Sequence, residues 1–137
     1  MKKLIFAAFL TCAAISVNAQ QPSNAISAEA TPYKFNETTH EFGKVPQGTP
    51  ATYTFEFKNV SKQPLVIESA QASCGCTTPE YPKEPVLPGK VAKIKVSYNA
   101  ANVGPFNKSV TVKFASLQQP IVLFIKGEVE QPKTAKL

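Results

Sequence analysis

The sequence predicts an all-β domain, an immunoglobulin-like β-sandwich of about seven antiparallel strands, and three observations carry that prediction. Apolar and polar residues alternate with a period of two through several segments. Turn-forming residues break the alternation at short intervals, and twelve prolines leave little room for long helices.

At the N-terminus, Lys2-Lys3 precede an apolar run from Leu4 to Ala14 and a small-residue exit, Val17-Asn18-Ala19, before Gln20. This is the pattern of a secretory signal peptide over residues 1–19. The run is far short of the ~20 residues a membrane-spanning helix needs, and no second run follows. The expectation is therefore a soluble exported protein without a transmembrane segment. Cys12 follows Phe9-Leu10-Thr11, a poor match to a lipoprotein processing box, so it is expected to leave with the signal. Removing residues 1–19 leaves 118 of the 137, enough for one domain with its own core.

Residues 20–32 are rich in Ser, Ala, Asn and Pro without periodicity and read as a flexible segment. The domain is assigned to 33–130, and the polar stretch 131–137 reads as a tail. Within the domain, Tyr53, Phe55 and Phe57 alternate with Thr52, Thr54, Glu56 and Lys58, the pattern of a strand with one core face and one wet face. Ala92, Ile94, Val96 and Tyr98 repeat it, as do Val110, Val112 and Phe114. Leu65-Val66-Ile67 and Ile121 to Ile125 are apolar on both faces and are expected to be covered on both sides. Pro46-Gln47-Gly48, Asn59 to Pro64, Leu87-Pro88-Gly89-Lys90 and Gly104-Pro105 are the intervening turns.

Several residues in these turns are read as fold devices. Gly43 and Gly48 supply backbone freedom where one strand bends and turns into the next, with Phe42 and Val45 burying apolar surface at that corner. Pro88-Gly89 suits the central positions of a type II turn. The glycine spacings of nucleotide-binding loops are absent. The sequons at Asn36, Asn59 and Asn107 accept glycans only in a eukaryotic secretory route, and Asn59 reads instead as a turn former after its strand.

Charge argues against nucleic acid as a partner. The formal charge of +6 falls to +4 once Lys2 and Lys3 are removed, and the chain contains neither arginine nor aspartate. Without the arginine fork or a basic cluster interleaved with aromatics, phosphate and base recognition lack their usual groups. Lys93, Lys95, Lys108 and Lys113 fall on strand segments and are expected on a solvated sheet face.

The chemistry centres on Cys74-Gly75-Cys76, the only thiols expected in the mature chain. In an extended strand, residues two apart share a face but sit too far apart for a relaxed disulfide, so closure demands a bend that Gly75 permits. Such a small ring would be readily reduced and would restrict the unfolded chain little. The pair can be a structural disulfide, a redox pair, buried free thiols, or a soft-metal site for Cu(I). Zinc is disfavoured, because His40 is the only histidine available to complete a ligand set. A cysteine hydrolase would need Cys74 or Cys76 with His40 and a glutamate, and His40 reads as an ordinary polar strand residue. Glu80 and Glu84 lie in a proline-rich loop without the aromatic platform of a sugar cleft.

The order of landmarks is distinctive: His40-Glu41-Phe42-Gly43-Lys44-Val45, then Tyr53 to Asn59, Pro64 to Ile67, Ser73-Cys74-Gly75-Cys76-Thr77, Leu87-Pro88-Gly89-Lys90 and Lys126-Gly127-Glu128-Val129. From about Tyr33 to Val129 this resembles the bacterial exported family called domain of unknown function 1573. Glu41 stands where the family usually has aspartate. The resemblance implies an immunoglobulin-like sandwich, distantly similar to the domains of cilium- and centrosome-associated scaffolds and to the major sperm protein fold, with no established reaction. The signal ending Asn-Ala-Gln resembles those of Bacteroidetes-type bacteria, implying a periplasmic or extracellular location. The resulting expectation is a non-catalytic module that binds a protein or cell-envelope partner and uses no cofactor, with thiol-redox or copper binding at Cys74 and Cys76 as the alternatives.

Overall fold

The computed structural model describes residues 31–132. The expected signal peptide with Cys12, nearly all of the 20–32 segment, and residues 133–137 of the tail lie outside them. The described residues form eight strands and no helix. They are β1 (Tyr33–Phe35), β2 (Thr39–Pro46), β3 (Ala51–Asn59), β4 (Ile67–Ala72), β5 (Thr77–Glu80), β6 (Val91–Tyr98), β7 (Gly104–Phe114) and β8 (Ile121–Glu130). Two four-stranded sheets pack face to face, one ordered β1-β3-β6-β5 and the other β2-β8-β7-β4.

The sandwich is as expected, with two differences in strand detail. The strands number eight, and β2 pairs with β8 in parallel, whereas every other pair is antiparallel. The cause is a strand that changes sheets. β1 runs beside the end of β3, the chain crosses at Asn36 to Thr38, and β2 continues along β8 in the other sheet. A parallel pair needs a long connection, and here that connection is the rest of the domain.

The period-two segments place their apolar residues as the alternation requires. Phe55, Phe57, Ile94, Val96, Val110, Val112 and Phe114 are essentially inaccessible to solvent. Tyr33 stacks on Phe114 with ring centroids 5.0 Å apart, and Phe57 meets Phe114 edge-on at 5.5 Å. Each such burial contributes roughly 1.5–3 kcal/mol.

Three expectations change at the ends and faces of the sheets. Leu65-Val66-Ile67 is not one continuous strand: Leu65 forms a bridge with Val86, and β4 starts at Ile67. β8 is covered on one face only, so Val122 and Phe124 stay exposed while Leu123 and Ile125 are buried. The third correction concerns Lys108. Lys93, Lys95 and Lys113 do lie outward, paired with Glu56, Glu80 and Glu68. Lys108 instead falls on the inward side of β7, between buried Phe106 and Val110, and is half-buried.

The sheet switch is held by a small aromatic cluster. His40 on β2 stacks on Tyr53 of β3, with centroids 3.5 Å apart and planes 8° from parallel, and meets Phe42 edge-on at 4.8 Å. His40 Nδ1 lies 3.1 Å from Glu37 Oε1. The Tyr53 hydroxyl, followed by His40, holds the Glu37 carboxyl below the usual carboxylate range against a partial desolvation that opposes it. The same carboxylate keeps the Tyr53 phenol protonated above its ordinary range.

Asn59 ends β3 and is fully buried. Its Nδ2 donates to the Gln63 and Val86 carbonyls, both at 2.8 Å, and its Oδ1 accepts from Ser61 N at 2.9 Å and Ser61 Oγ at 2.8 Å. The Ser61 contact is the local turn read from sequence; the Val86 contact reaches a distant loop. Gly127 is a second tight point. A Cβ there would meet the Gly43 carbonyl and the Phe106 ring at 2.8 Å, where β2 bulges between Glu41 and Lys44.

Two predictions follow from these contacts. Asn59→Ala removes a satisfied buried amide and should destabilise the domain by about 2–3 kcal/mol, read as a lower denaturant midpoint at unchanged slope. A loss under about 0.5 kcal/mol would show that water replaces the amide. Because the Glu37 pKa is depressed on folding, its contribution is present above the unfolded carboxyl value, about 4.3, and is lost as pH falls through the lower folded value. Stability measured from pH 6 to pH 2 should therefore fall less steeply in Glu37→Gln than in the native chain.

Candidate functional site

The Cys-Gly-Cys turn is the crossover between the sheets. β4 runs antiparallel to β7 with Ala72 opposite Val110, and Ser73 continues the pairing by donating its N–H to the Ser109 carbonyl at 2.9 Å. The chain then turns, the Thr77 N–H reaching the Cys74 carbonyl at 3.2 Å, and enters β5 in the other sheet with Thr77 opposite Tyr98. The turn draws Cys74 and Cys76 to a Cα separation of 5.2 Å, with their sulfurs at bonding distance. That separation is within the range of a disulfide, which an extended i, i+2 pair would exceed. Both cysteines are half-buried. The Thr77 hydroxyl lies 3.6 Å from Cys74 Sγ and 4.0 Å from Cys76 Sγ.

Gly75 lies outside the left-handed region, and a Cβ there would meet nothing within 4 Å. The bend that joins the cysteines therefore does not draw on left-handed backbone. Gly43 has φ +66° within the β2 bulge, and Gly48 has φ +74° in the turn after β2. Val45 is buried, and Phe42 packs against the core. Pro88 and Gly89 occupy the centre of a turn closed by the Lys90 N–H and the Leu87 carbonyl at 3.0 Å, with Gly89 at φ +77°.

His40 and the cysteines do not meet. His40 pairs with Ile125 on β8, Ile125 pairs with Lys108 on β7, and the cysteines lie beyond β7 at the β4 side. Two strands, β8 and β7, thus stand between the strand that carries His40 and the one that leads into the cysteines. Among the described residues, no group of three or more His, Cys, Asp or Glu side chains converges where a metal could be held.

A second feature was not anticipated. β6 pairs along its whole length with β3, but on its other edge β5 accompanies it only from Lys95 to Tyr98. Pro82 and Pro85 follow β5 and cannot donate ladder hydrogen bonds, so the segment that would continue pairing leaves the sheet. Among the described residues no backbone hydrogen bond joins Tyr81 to Pro85 with β6. The loop is pinned elsewhere: Val86 bridges Leu65 and receives the Asn59 amide. Between loop and strand lies an open groove of about 770 Å³, lined on its apolar side by Tyr81, Val86, Leu87, Val91 and Ala92. Leu87 and Val91 are 54% and 57% exposed. The sequence signal was present in the spacing of Pro79, Pro82 and Pro85, but it speaks only once β5 and β6 are known to be neighbours. Glu80 lines the groove and pairs with Lys95 at 2.9 Å, and Glu84 lines it as well.

No curated protein matches this chain in sequence. Solved structures show the same fold at low identity. A protein of unknown function from Porphyromonas gingivalis aligns with a TM-score of 0.61 and 16% identity, covering 77% of this chain and 51% of that one. The seventh PapD-like domain of human CEP192 aligns with a TM-score of 0.60 and 10% identity over 75% of this chain and 88% of that one. The secreted serine protease VesC from Vibrio cholerae aligns with a TM-score of 0.60 and 9% identity over 76% of this chain and 24% of that one. The chain thus spans about half the length of the Porphyromonas protein and about a quarter of the protease. Residues 33–129 match the model of the family described as protein of unknown function (DUF1573), and the chain belongs to that family.

Proposed function

We propose that this chain is an exported, non-catalytic interaction module that takes up an extended segment of a protein partner along the open half-edge of β6. The observation that supports it is the groove in which β5 leaves β6. Strand addition needs unpaired backbone donors and acceptors for affinity and pockets for alternate side chains for specificity. Val91 and Lys93, whose backbone groups point away from β3, supply the first, and the wall formed by Tyr81, Leu87 and Val91 supplies the second. An incoming strand with apolar residues at every second position would cover both exposed side chains. Export rests on the Lys2-Lys3, Leu4 to Ala14 and Val17-Asn18-Ala19 pattern, and it places the partner in the cell envelope or outside the cell.

A displayed library of short linear peptides, panned against the purified chain, provides the probe. Enriched peptides are expected to alternate apolar and polar residues and to slow hydrogen exchange at the amides of Val91 and Lys93, which face the open edge. Leu87→Asp with Val91→Asp should weaken them by about tenfold or more, since each lost apolar burial is worth on the order of 1.5 kcal/mol. Both positions are exposed, so the melting temperature should stay within a few degrees of the native value. Peptides that protect amides elsewhere, or bind the double variant equally well, would refute the assignment.

A further inference from the structure

Lys108 is the one lysine of the β6 and β7 strands expected on the wet face that the fold turns inward. It is half-buried between Phe106 and Val110 on β7, and among the described residues it has no carboxylate partner within ion-pair distance. Its Nζ lies 5.9 Å from the centre of the Tyr98 ring.

That location coincides with the cysteine turn. β4 and β7 pair Ala72 with Val110, and the Ser73–Ser109 hydrogen bond extends the register by one residue. Past that bond the ladder ends, the Ser109 N–H turning to Ser73 Oγ at 3.2 Å, so Cys74 and Lys108 each lie one residue beyond the last bonded position, toward the inner side of the sheet. The burial pattern agrees, since Ala72 and Cys74 are half-buried on one side and Ser73 is exposed on the other. From the opposite sheet, Tyr98 stands below the ammonium and is the register partner of Thr77, whose hydroxyl approaches both sulfurs. On the β8 side Lys108 faces Ile125, which is buried and carries no charge, and His40 lies one strand further.

We infer that Cys74 and Cys76 form a thiol–disulfide exchange site for an external dithiol, with Lys108 as the positioning cation that stabilises the leaving Cys74 thiolate. One thiolate of the dithiol attacks Cys76 Sγ, forming a mixed disulfide as the Cys74–Cys76 bond breaks. The bonding pair departs on Cys74 Sγ, with the Lys108 ammonium on the same inner side of the sheet and the Thr77 hydroxyl able to donate a hydrogen bond. The second thiolate of the dithiol then attacks its own partner sulfur and releases Cys76. Two electrons pass to the cysteine pair, the external dithiol becomes a disulfide, and its two thiol protons balance those taken up by Cys74 and Cys76. A leaving thiol of lowered pKa departs faster, so the cation acts at the step that controls the rate. The site stands at the opposite end of β5 from the groove and does not depend on it.

The test uses the chain without its signal and dithiothreitol as the dithiol. Aerobically purified protein should carry no alkylatable thiol and gain two on reduction. In the reduced protein, the pH midpoint for iodoacetamide alkylation of Cys74, resolved from Cys76 by fragment mass spectrometry, should lie below the ~8.5 of an ordinary thiol. Lys108→Met should raise that midpoint by about one unit, as loss of a nearby opposite charge does. The same variant should slow reduction by about threefold at pH 7. Lys108→Arg should restore both. If Lys108→Met fails to fold, the native midpoint decides alone: a value at or above ~8.5 overturns the proposal. Unchanged midpoint and rate in a folded Lys108→Met variant overturn it equally, as do two free thiols in the native protein.

Discussion

The Asn59 amide is the contact on which most of the layout depends. It is buried at the end of β3, and all of its hydrogen-bonding capacity is spent on two loops, at Ser61 and Gln63 and at Val86. Ser61 and Gln63 shape the loop that carries the chain from one sheet to the other. Val86 belongs to the loop that leads into β6, and the backbone of Asn59 adds bonds to Gly89 and Lys90 in the turn that starts β6. A polar side chain in such a place is tolerated only when it is fully satisfied, and full satisfaction in turn defines where each of those segments sits.

The groove is a consequence of that anchoring. With Val86 held by Asn59 and Leu65, the loop after β5 is drawn toward the connection between β3 and β4 and away from the free edge of β6. Prolines 82 and 85 ensure that it cannot rejoin the ladder on the way. An edge left open in this fashion is normally a liability that charges, prolines or short strands suppress. Here the lysines at 93 and 95 are engaged with Glu56 and Glu80, while Leu87 and Val91 stay exposed beside the unpaired backbone.

β5 therefore separates two dissimilar features of the surface. At its start, the Cys-Gly-Cys turn joins the two sheets, leading into Thr77 opposite Tyr98; at its end, the proline loop opens the groove. The sheet switch at the far side of the molecule, clamped by His40 on Tyr53, leaves the lone histidine engaged with Glu37 and remote from the sulfurs. That separation is why the residues of a cysteine hydrolase, present in the sequence, do not assemble into one.

By itself the sequence determined the sandwich, the cores of β3, β6 and β7, and the turns at Gly48 and Pro88-Gly89, because these depend on period-two alternation and on local backbone preferences. Those signals are carried by neighbours in the chain. It also singled out Cys74 and Cys76, whose closeness is a matter of two residues and a turn, and left open what they do. Tertiary structure alone decided the parallel pairing of β2 with β8, the exposure of Val122 and Phe124, the reach of Asn59 to Val86, the open edge of β6, and the inward turn of Lys108. Alternation assigns residues to one of two faces, but it does not say which strand stands alongside or whether a face is covered. Lys108 shows the limit most plainly. Its neighbours Phe106 and Val110 obey the same alternation, which put the lysine on their side of the strand, yet its charge argued for the other. The register across β4 and β7, a relation between residues more than thirty positions apart, is what brings that inward position to the end of the sandwich where the Cys-Gly-Cys turn begins.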